Sequence, residues 1–123
     1  MSQQRGAKSS HCRVHLAKAA VRDLKQIEKQ SQKTLIAAIE ALQTNPRPLG
    51  MEKLSGHPDF FRIRVGDYRI VYAIPRAGLV VVCIVRDRQN SYRGLDDLGA
   101  KLAHALRELV ESEIGRPSLR AKA

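Results

Sequence analysis

The stretch from Phe60 to Val85 constrains the fold more than any other part of the chain. Phe61, Ile63 and Val65 alternate with Arg62 and Arg64, the period of a strand with one buried and one polar face. Gly66-Asp67 supplies a tight turn, and Tyr68 to Ile74 reads as a second strand. Pro75-Arg76-Ala77-Gly78 is a second turn, and Leu79 to Val85 is a nearly all-apolar third strand, as expected at the centre of a sheet. Three strands joined by turns this short form an antiparallel meander. Such a sheet must bury its apolar face against another layer.

The N-terminal part supplies that layer. Cys12, Val14 and Leu16 alternate as a short strand. Ala17, Ala20, Val21, Leu24 and Ile27 fall on one face of a helix. Ser31 is placed to cap a second helix whose stripe is Leu35, Ile36, Ile39 and Leu42, ended by Asn45-Pro46-Arg47-Pro48. The expected fold class is α+β: a strand and an αα-hairpin packed on the meander as a two-layer sandwich. A further amphipathic helix starts at Leu95 and uses Leu98, Leu102, Ala105 and Leu109, with Leu106 and Val110 widening the stripe. It is expected to pack on the sheet or on the helix pair and to stop at Gly115-Arg116-Pro117. The chain therefore divides into a disordered basic tail over 1–10, a core domain over 11–93, a helix over 94–115 and a basic tail over 116–123.

Twenty-two Lys and Arg against 12 Asp and Glu leave a formal net charge of +10. On 123 residues that excess favours a polyanionic partner, a nucleic acid or an acidic protein. No apolar run is long enough to span a bilayer and no secretory signal is evident, so a soluble cytoplasmic protein without a membrane partner is expected. Cys12 and Cys83 match no metal-ligand spacing and read as free thiols.

The arginines carry the functional signal. Arg62 and Arg64 share one face of one strand, about 6.6–6.8 Å apart. Arg69 opens the neighbouring strand just past the turn and can approach the same end of the sheet. Arg86 and Arg88 leave the third strand in a polar segment that ends in Tyr92 and Arg93. A sheet can gather these five arginines and the tyrosine into one anion-binding patch. Asp59, Asp67 and Asp87 are the acids placed to pair with them structurally. Spacing alone reaches an anion-binding sheet. Phosphoryl chemistry on RNA suits such a patch, because attack by a ribose 2′-hydroxyl builds negative charge that bidentate guanidiniums stabilise selectively. That chemistry needs neither metal nor cofactor. Tyr92 can stack on a base or donate a proton.

Lys53-Leu54-Ser55-Gly56, then Phe61-Arg62-Ile63-Arg64-Val65-Gly66-Asp67-Tyr68-Arg69-Ile70-Val71-Tyr72, then Arg86-Asp87-Arg88 and Tyr92, resemble the RelE/ParE toxin superfamily. The Arg86–Tyr92 tail favours its RelE branch, the ribosome-dependent mRNA endonucleases of type II toxin–antitoxin systems. The resemblance covers about residues 11–93. It implies catalytic roles for Arg64, Arg69, Arg86 and Tyr92, and substrate binding by Arg62, Arg88 and Lys53. It also implies mRNA in the ribosomal A site, with rRNA contacts, as substrate and an antitoxin as partner in a hetero-oligomer. No cofactor and no metal are implied. Where some members carry a lysine suited to act as base, this chain has Arg64, which does not release its proton readily. His57 is the only histidine near the patch in sequence; His11, His15 and His104 form no interpretable spacing. A DNA gyrase inhibitor of ParE type without nuclease activity is the alternative, and a toxin retaining only antitoxin and operator binding is a third.

Overall fold

A strand built from Leu79–Val85 has no polar face to show to water, so it needs a cover on both sides. The computed structural model describes residues 11–90 and 95–122, and it provides both covers. In chain order the elements are β1 (Arg13–Leu16), α1 (Lys18–Lys25), α2 (Lys29–Ala41), β2 (Glu52–Leu54), β3 (His57–Val65), β4 (Tyr68–Arg76), β5 (Leu79–Asp87) and α3 (Leu98–Lys122). Single 3₁₀ turns at Arg88–Asn90 and Leu95–Asp97 lie between β5 and α3. The strands form one sheet in the order β1-β5-β4-β3-β2, with β1 parallel to β5 and every other neighbour antiparallel. The meander is as expected from its turns; the parallel β1 closes its far side.

One face of the sheet packs under the helix pair. Ala20 and Leu24 of α1 and Leu35, Ile39 and Leu42 meet Ile63, Ile70, Tyr72, Val80, Val82 and Val85. The other face packs under α3, where Leu98, Ala105 and Leu109 meet Phe60, Val71, Ala73, Leu79, Val81 and Ile84. The helix pair, the sheet and α3 thus form three layers, and of the two placements expected for the C-terminal helix it takes the one on the sheet, where β5 is apolar on both faces. No helix among the described residues is long and apolar enough to cross a membrane. Cys12 and Cys83 are both buried, and burial pushes the Cys83 thiol up to about 12.

A bulge in β5 sets which residues reach which layer. Val71 pairs with Ile84 but Tyr72 pairs with Val82, which leaves Cys83 as an extra residue. Cys83 and Ile84 therefore share the α3 face, and the alternation reverses beyond them. Val85 moves to the helix-pair face. Arg86 moves to the side of the sheet that it would otherwise avoid.

Several local features depart from the sequence reading. Glu28, not Ser31, caps α2: its carboxylate accepts from Gln30 N and Ser31 N, each at 3.2 Å, and from the Ser31 hydroxyl at 2.7 Å. That hydroxyl bond, with the two amides, holds the Glu28 carboxyl below its ordinary pKa. Ile36 and Val110 lie at the edges of their stripes and are exposed. β3 begins at His57, ahead of the expected Phe60, and pairs with the short β2, which sequence alternation is too brief to reveal. Finally, α3 runs on through Gly115-Arg116-Pro117 to Lys122. A helical proline forfeits its own backbone bond and crowds one carbonyl, but the residues beyond it can resume helical dihedrals.

Candidate functional site

The β3–β4 turn fixes the site. Val65 pairs with Tyr68 across Gly66-Asp67, a two-residue loop in which Gly66 takes φ +59°. That left-handed value is open to glycine and costly for residues with a Cβ, so Gly66 sets the register of the hairpin. Arg64 then stands directly opposite Arg69. Arg69 in turn stands directly opposite Arg86 on β5, the pairing that the bulge makes possible. Three arginines thus form a row across three adjacent strands, with directly opposed Cα atoms about 4.5–5.5 Å apart. Arg62 lies two residues along β3 on the same side of the pleat.

Like charges directly opposite one another destabilise a sheet by a few tenths to about 1 kcal/mol per pair. The flanks of the row carry acids that offset part of this. Arg62 Nη2 bonds Glu52 Oε1 at 2.7 Å across the β2–β3 ladder. That bond and charge, with Arg64 and Arg69 behind them, hold the Glu52 carboxyl below its ordinary pKa. At the other end, Arg86 Nη1 bonds Asp23 Oδ2 of α1. In the middle, Arg69 Nη1 donates to the Tyr68 carbonyl, at 3.2 Å. Among the described residues no carboxylate lies within ion-pairing distance of Arg64 or Arg69. The acids that engage Arg62 and Arg86 are therefore Glu52 and Asp23. Asp87 instead closes the 3₁₀ turn by accepting from Asn90 N and Nδ2, at 2.9 and 2.8 Å. Neither true partner is near its arginine in the chain, so no sequence spacing announces them.

Arg88 is anchored by its backbone, whose N–H donates to the Asp67 carbonyl of the β3–β4 turn at 2.7 Å. It lines a groove of about 960 Å³ together with Arg62, Arg64 and Arg69. The rest of the lining is mixed: Ala38, Ala41 and Leu42 at the end of α2, then Asn45, Pro48 and the fully exposed Leu49, with Glu52 beside Arg62. Guanidiniums beside apolar side chains suit a ligand with charged phosphates and flat bases.

Lys53 is not gathered into this group. It pairs with Phe61, whose side of the pleat faces the helix pair, and it does not line the groove. His57 opens β3 and packs edge-on against Phe60, with ring centroids 6.4 Å apart. It is seven residues from Arg64 along one strand, about 23 Å, too far to serve the row. Tyr92 lies outside the described residues, as does Arg93.

Residues 14–92 match the family model described as the ParE toxin of the type II toxin–antitoxin system parDE. The chain belongs to the ParE toxin family. Among the relatives of this ParE-family toxin is Toxin RelE3 of Methanocaldococcus jannaschii, 37% identical over 62 residues that cover 47% of this chain and 70% of that one. Several solved structures share the fold, among them the following two. The toxin in the RelB–RelE antitoxin–toxin complex from Methanococcus jannaschii superposes with a TM-score of 0.54 at 28% identity, covering 66% of this chain and 98% of that one. That in the archaeal RelE–RelB complex from Pyrococcus horikoshii gives 0.56 at 25% identity, covering 63% and 96%. Membership of the RelE/ParE superfamily therefore stands on family model, relatives and fold together, and the chain is a type II toxin.

Proposed function

We propose that this toxin is an mRNA endonuclease that cuts in the ribosomal A site. The single observation that supports the reading most is the register that sets Arg64, Arg69 and Arg86 side by side, with no carboxylate among the described residues within ion-pairing distance of Arg64 or Arg69. In the proposed step the ribose 2′-hydroxyl attacks the adjacent phosphorus. The bond to the 5′-oxygen of the next nucleotide breaks, leaving a 2′,3′-cyclic phosphate and a 5′-hydroxyl. The pentacoordinate phosphorus carries more negative charge than the substrate, and preorganised guanidiniums stabilise that excess. Arg64 acts by charge; the 2′-hydroxyl proton passes to solvent, and the departing 5′-oxygen takes up a proton from solvent to become the 5′-hydroxyl. Arg62 and Arg88 extend phosphate contact on either side, and Tyr92 stacks on a base. The excess of basic residues supports contact with rRNA.

An antitoxin is the proposed protein partner, by analogy with relatives solved as RelB–RelE complexes. Its acidic residues would neutralise the arginine row.

One observation favours a second reading. The matching family model is that of ParE, so inhibition of DNA gyrase without RNA cleavage is the competing activity. Mapping of mRNA cuts on translating ribosomes, beside gyrase supercoiling with the same purified protein, decides between them. The proposal expects cuts from the wild type and their loss in Arg86→Ala and Tyr92→Ala. Wild-type gyrase inhibition without cuts would replace it with the ParE reading.

A further inference from the structure

Asp23 occupies a place that packing alone does not demand. It sits on α1 between Ala20 and Leu24, both buried against the sheet, at the edge of β5. The last β1–β5 pair is Leu16 with Val82, so beyond that point β5 has no strand on this side. Its edge would present unpaired backbone donors. The Asp23 carboxylate accepts one of them, Val85 N–H, at 2.9 Å. The same oxygen, Oδ2, accepts from Arg86 Nη1. Both partners are about four-fifths buried, with side-chain exposures of 20% for Asp23 and 22% for Arg86. A carboxylate tied to backbone on the strand that carries the arginine cannot follow a wandering guanidinium; it fixes one end of it. Arginine carries five N–H donors in a planar fork, so a grip on Nη1 leaves others for phosphate.

We propose that Asp23 is a positioning residue, holding the Arg86 guanidinium at the end of the Arg64–Arg69–Arg86 row so that its remaining donors meet the phosphorane. The inference rests on the nuclease reading and deepens it. The division of acids along the row supports it. Glu52 engages Arg62 and Asp23 engages Arg86, while among the described residues no acid pairs with Arg64 or Arg69, so an incoming phosphate seats at Arg64 and Arg69 with Arg86 already aligned as the third contact. A flexible arginine would have to be ordered during the reaction, and a misplacement of about 1 Å can cost roughly a hundredfold in rate. Fixing it beforehand moves that ordering cost to folding.

The discriminating variant is Asp23→Asn, which retains an oxygen for Val85 N–H and removes the charge. Single-turnover cleavage on programmed ribosomes should slow by roughly tenfold to a hundredfold. The KM for mRNA should stay level or fall, because the variant is one charge more positive. A merely structural loss would instead show as a lower unfolding midpoint with the remaining folded protein fully active. In a double-mutant cycle, Asp23→Asn should add little to Arg86→Ala, since it acts through the group already removed. Wild-type cleavage by Asp23→Asn, or a loss that adds in full to that of Arg86→Ala, overturns the inference and leaves the nuclease reading intact. If the wild type cuts no RNA, the nuclease reading falls, and nitrogen-15 NMR of the arginine Nε–H groups still decides about Asp23. A resolved Arg86 signal that shifts with inorganic phosphate and collapses into the averaged arginines in Asp23→Asn supports positioning. An Arg86 signal unchanged by the substitution overturns it.

Discussion

Strands β4 and β5 each serve two purposes, and their two halves make an instructive contrast. Ile70 to Ala73 and Leu79 to Val85 are buried under helices on both faces of the sheet. One step further along the same ladder, Arg69 and Arg86 oppose each other as like charges. The apolar half stabilises through area removed from water, about 25 cal/mol per Å². The arginine half costs stability, with Asp23 offsetting Arg86 and Glu52 offsetting Arg62 on the adjoining β3. A rigid apolar ladder therefore holds a repulsive row in place. Repulsion kept in the folded state is useful when an anion is to fill it, and it separates the substitutions that harm folding from those that harm activity.

The largest effect is expected at the centre of the row. Arg69→Ala should slow cleavage by about 100- to 1000-fold, the usual cost of one preorganised donor. Because it also removes a like-charge neighbour, its unfolding midpoint should match or exceed that of the wild type. A clear fall in midpoint would make Arg69 part of the framework and break the contrast. The apolar half should answer in the opposite way. Ile84→Val, in the core beneath α3, should cost about 0.5–1.5 kcal/mol in denaturant unfolding and leave cleavage per folded molecule unchanged.

How far the sequence foretells this division depends on whether the signal is local. Alternation in Phe60–Val65, the turn at Gly66-Asp67 and the apolar run Leu79–Val85 carry the meander, because period and turn chemistry act over a few residues. The arginines are legible as a group, and Arg69 reaches the end of the sheet expected of it. The alignment of Arg86 is not legible. It depends on the bulge at Cys83, and an all-apolar strand gives no alternation from which a reversal could be seen. Asp23 and Glu52 are equally hidden: one is 63 residues from its arginine and the other faces it across a three-residue strand. The second layer over the sheet was implied by β5 having no polar face, although α3 alone does not reveal which surface it covers. Lys53 belongs by its motif to the patch, yet β2–β3 pairing sets it on the other side of the pleat.

A smaller effect sharpens the phosphate reading. RNA affinity should fall with salt with a log–log slope near −0.7 per phosphate neutralised. Arg88, exposed on the groove wall, should account for about one such unit. Arg88→Ala should therefore flatten the slope by about 0.7 without changing the unfolding midpoint. An unchanged slope would remove Arg88 from the phosphate path.

The smallest effect tests the other charged cluster, which is built in the reverse sense. On the α3 side a single acid, Glu108, has three basic neighbours: Lys18 at 3.2 Å, His104 at 3.4 Å and His15 at 3.9 Å. The His15 Nε2 is out of contact with solvent and lacks a hydrogen bond among the described residues. Burial lowers its pKa from 6.5; Glu108 opposes that shift and Arg13 adds to it. A histidine depressed in this way binds a proton more readily in the unfolded chain than in the folded one. Its contribution is therefore complete above 6.5 and is lost as pH falls below that value, where the unfolded chain takes up the proton first. The midpoint of thermal unfolding should be lower near about pH 5.5 than near about pH 7.5, and His15→Gln should reduce that difference. Were the variant to keep the full pH dependence, the loss would belong to other groups and His15 would be neutral to folding. A reduced dependence would show that the seam beneath α3 relies on one group staying uncharged.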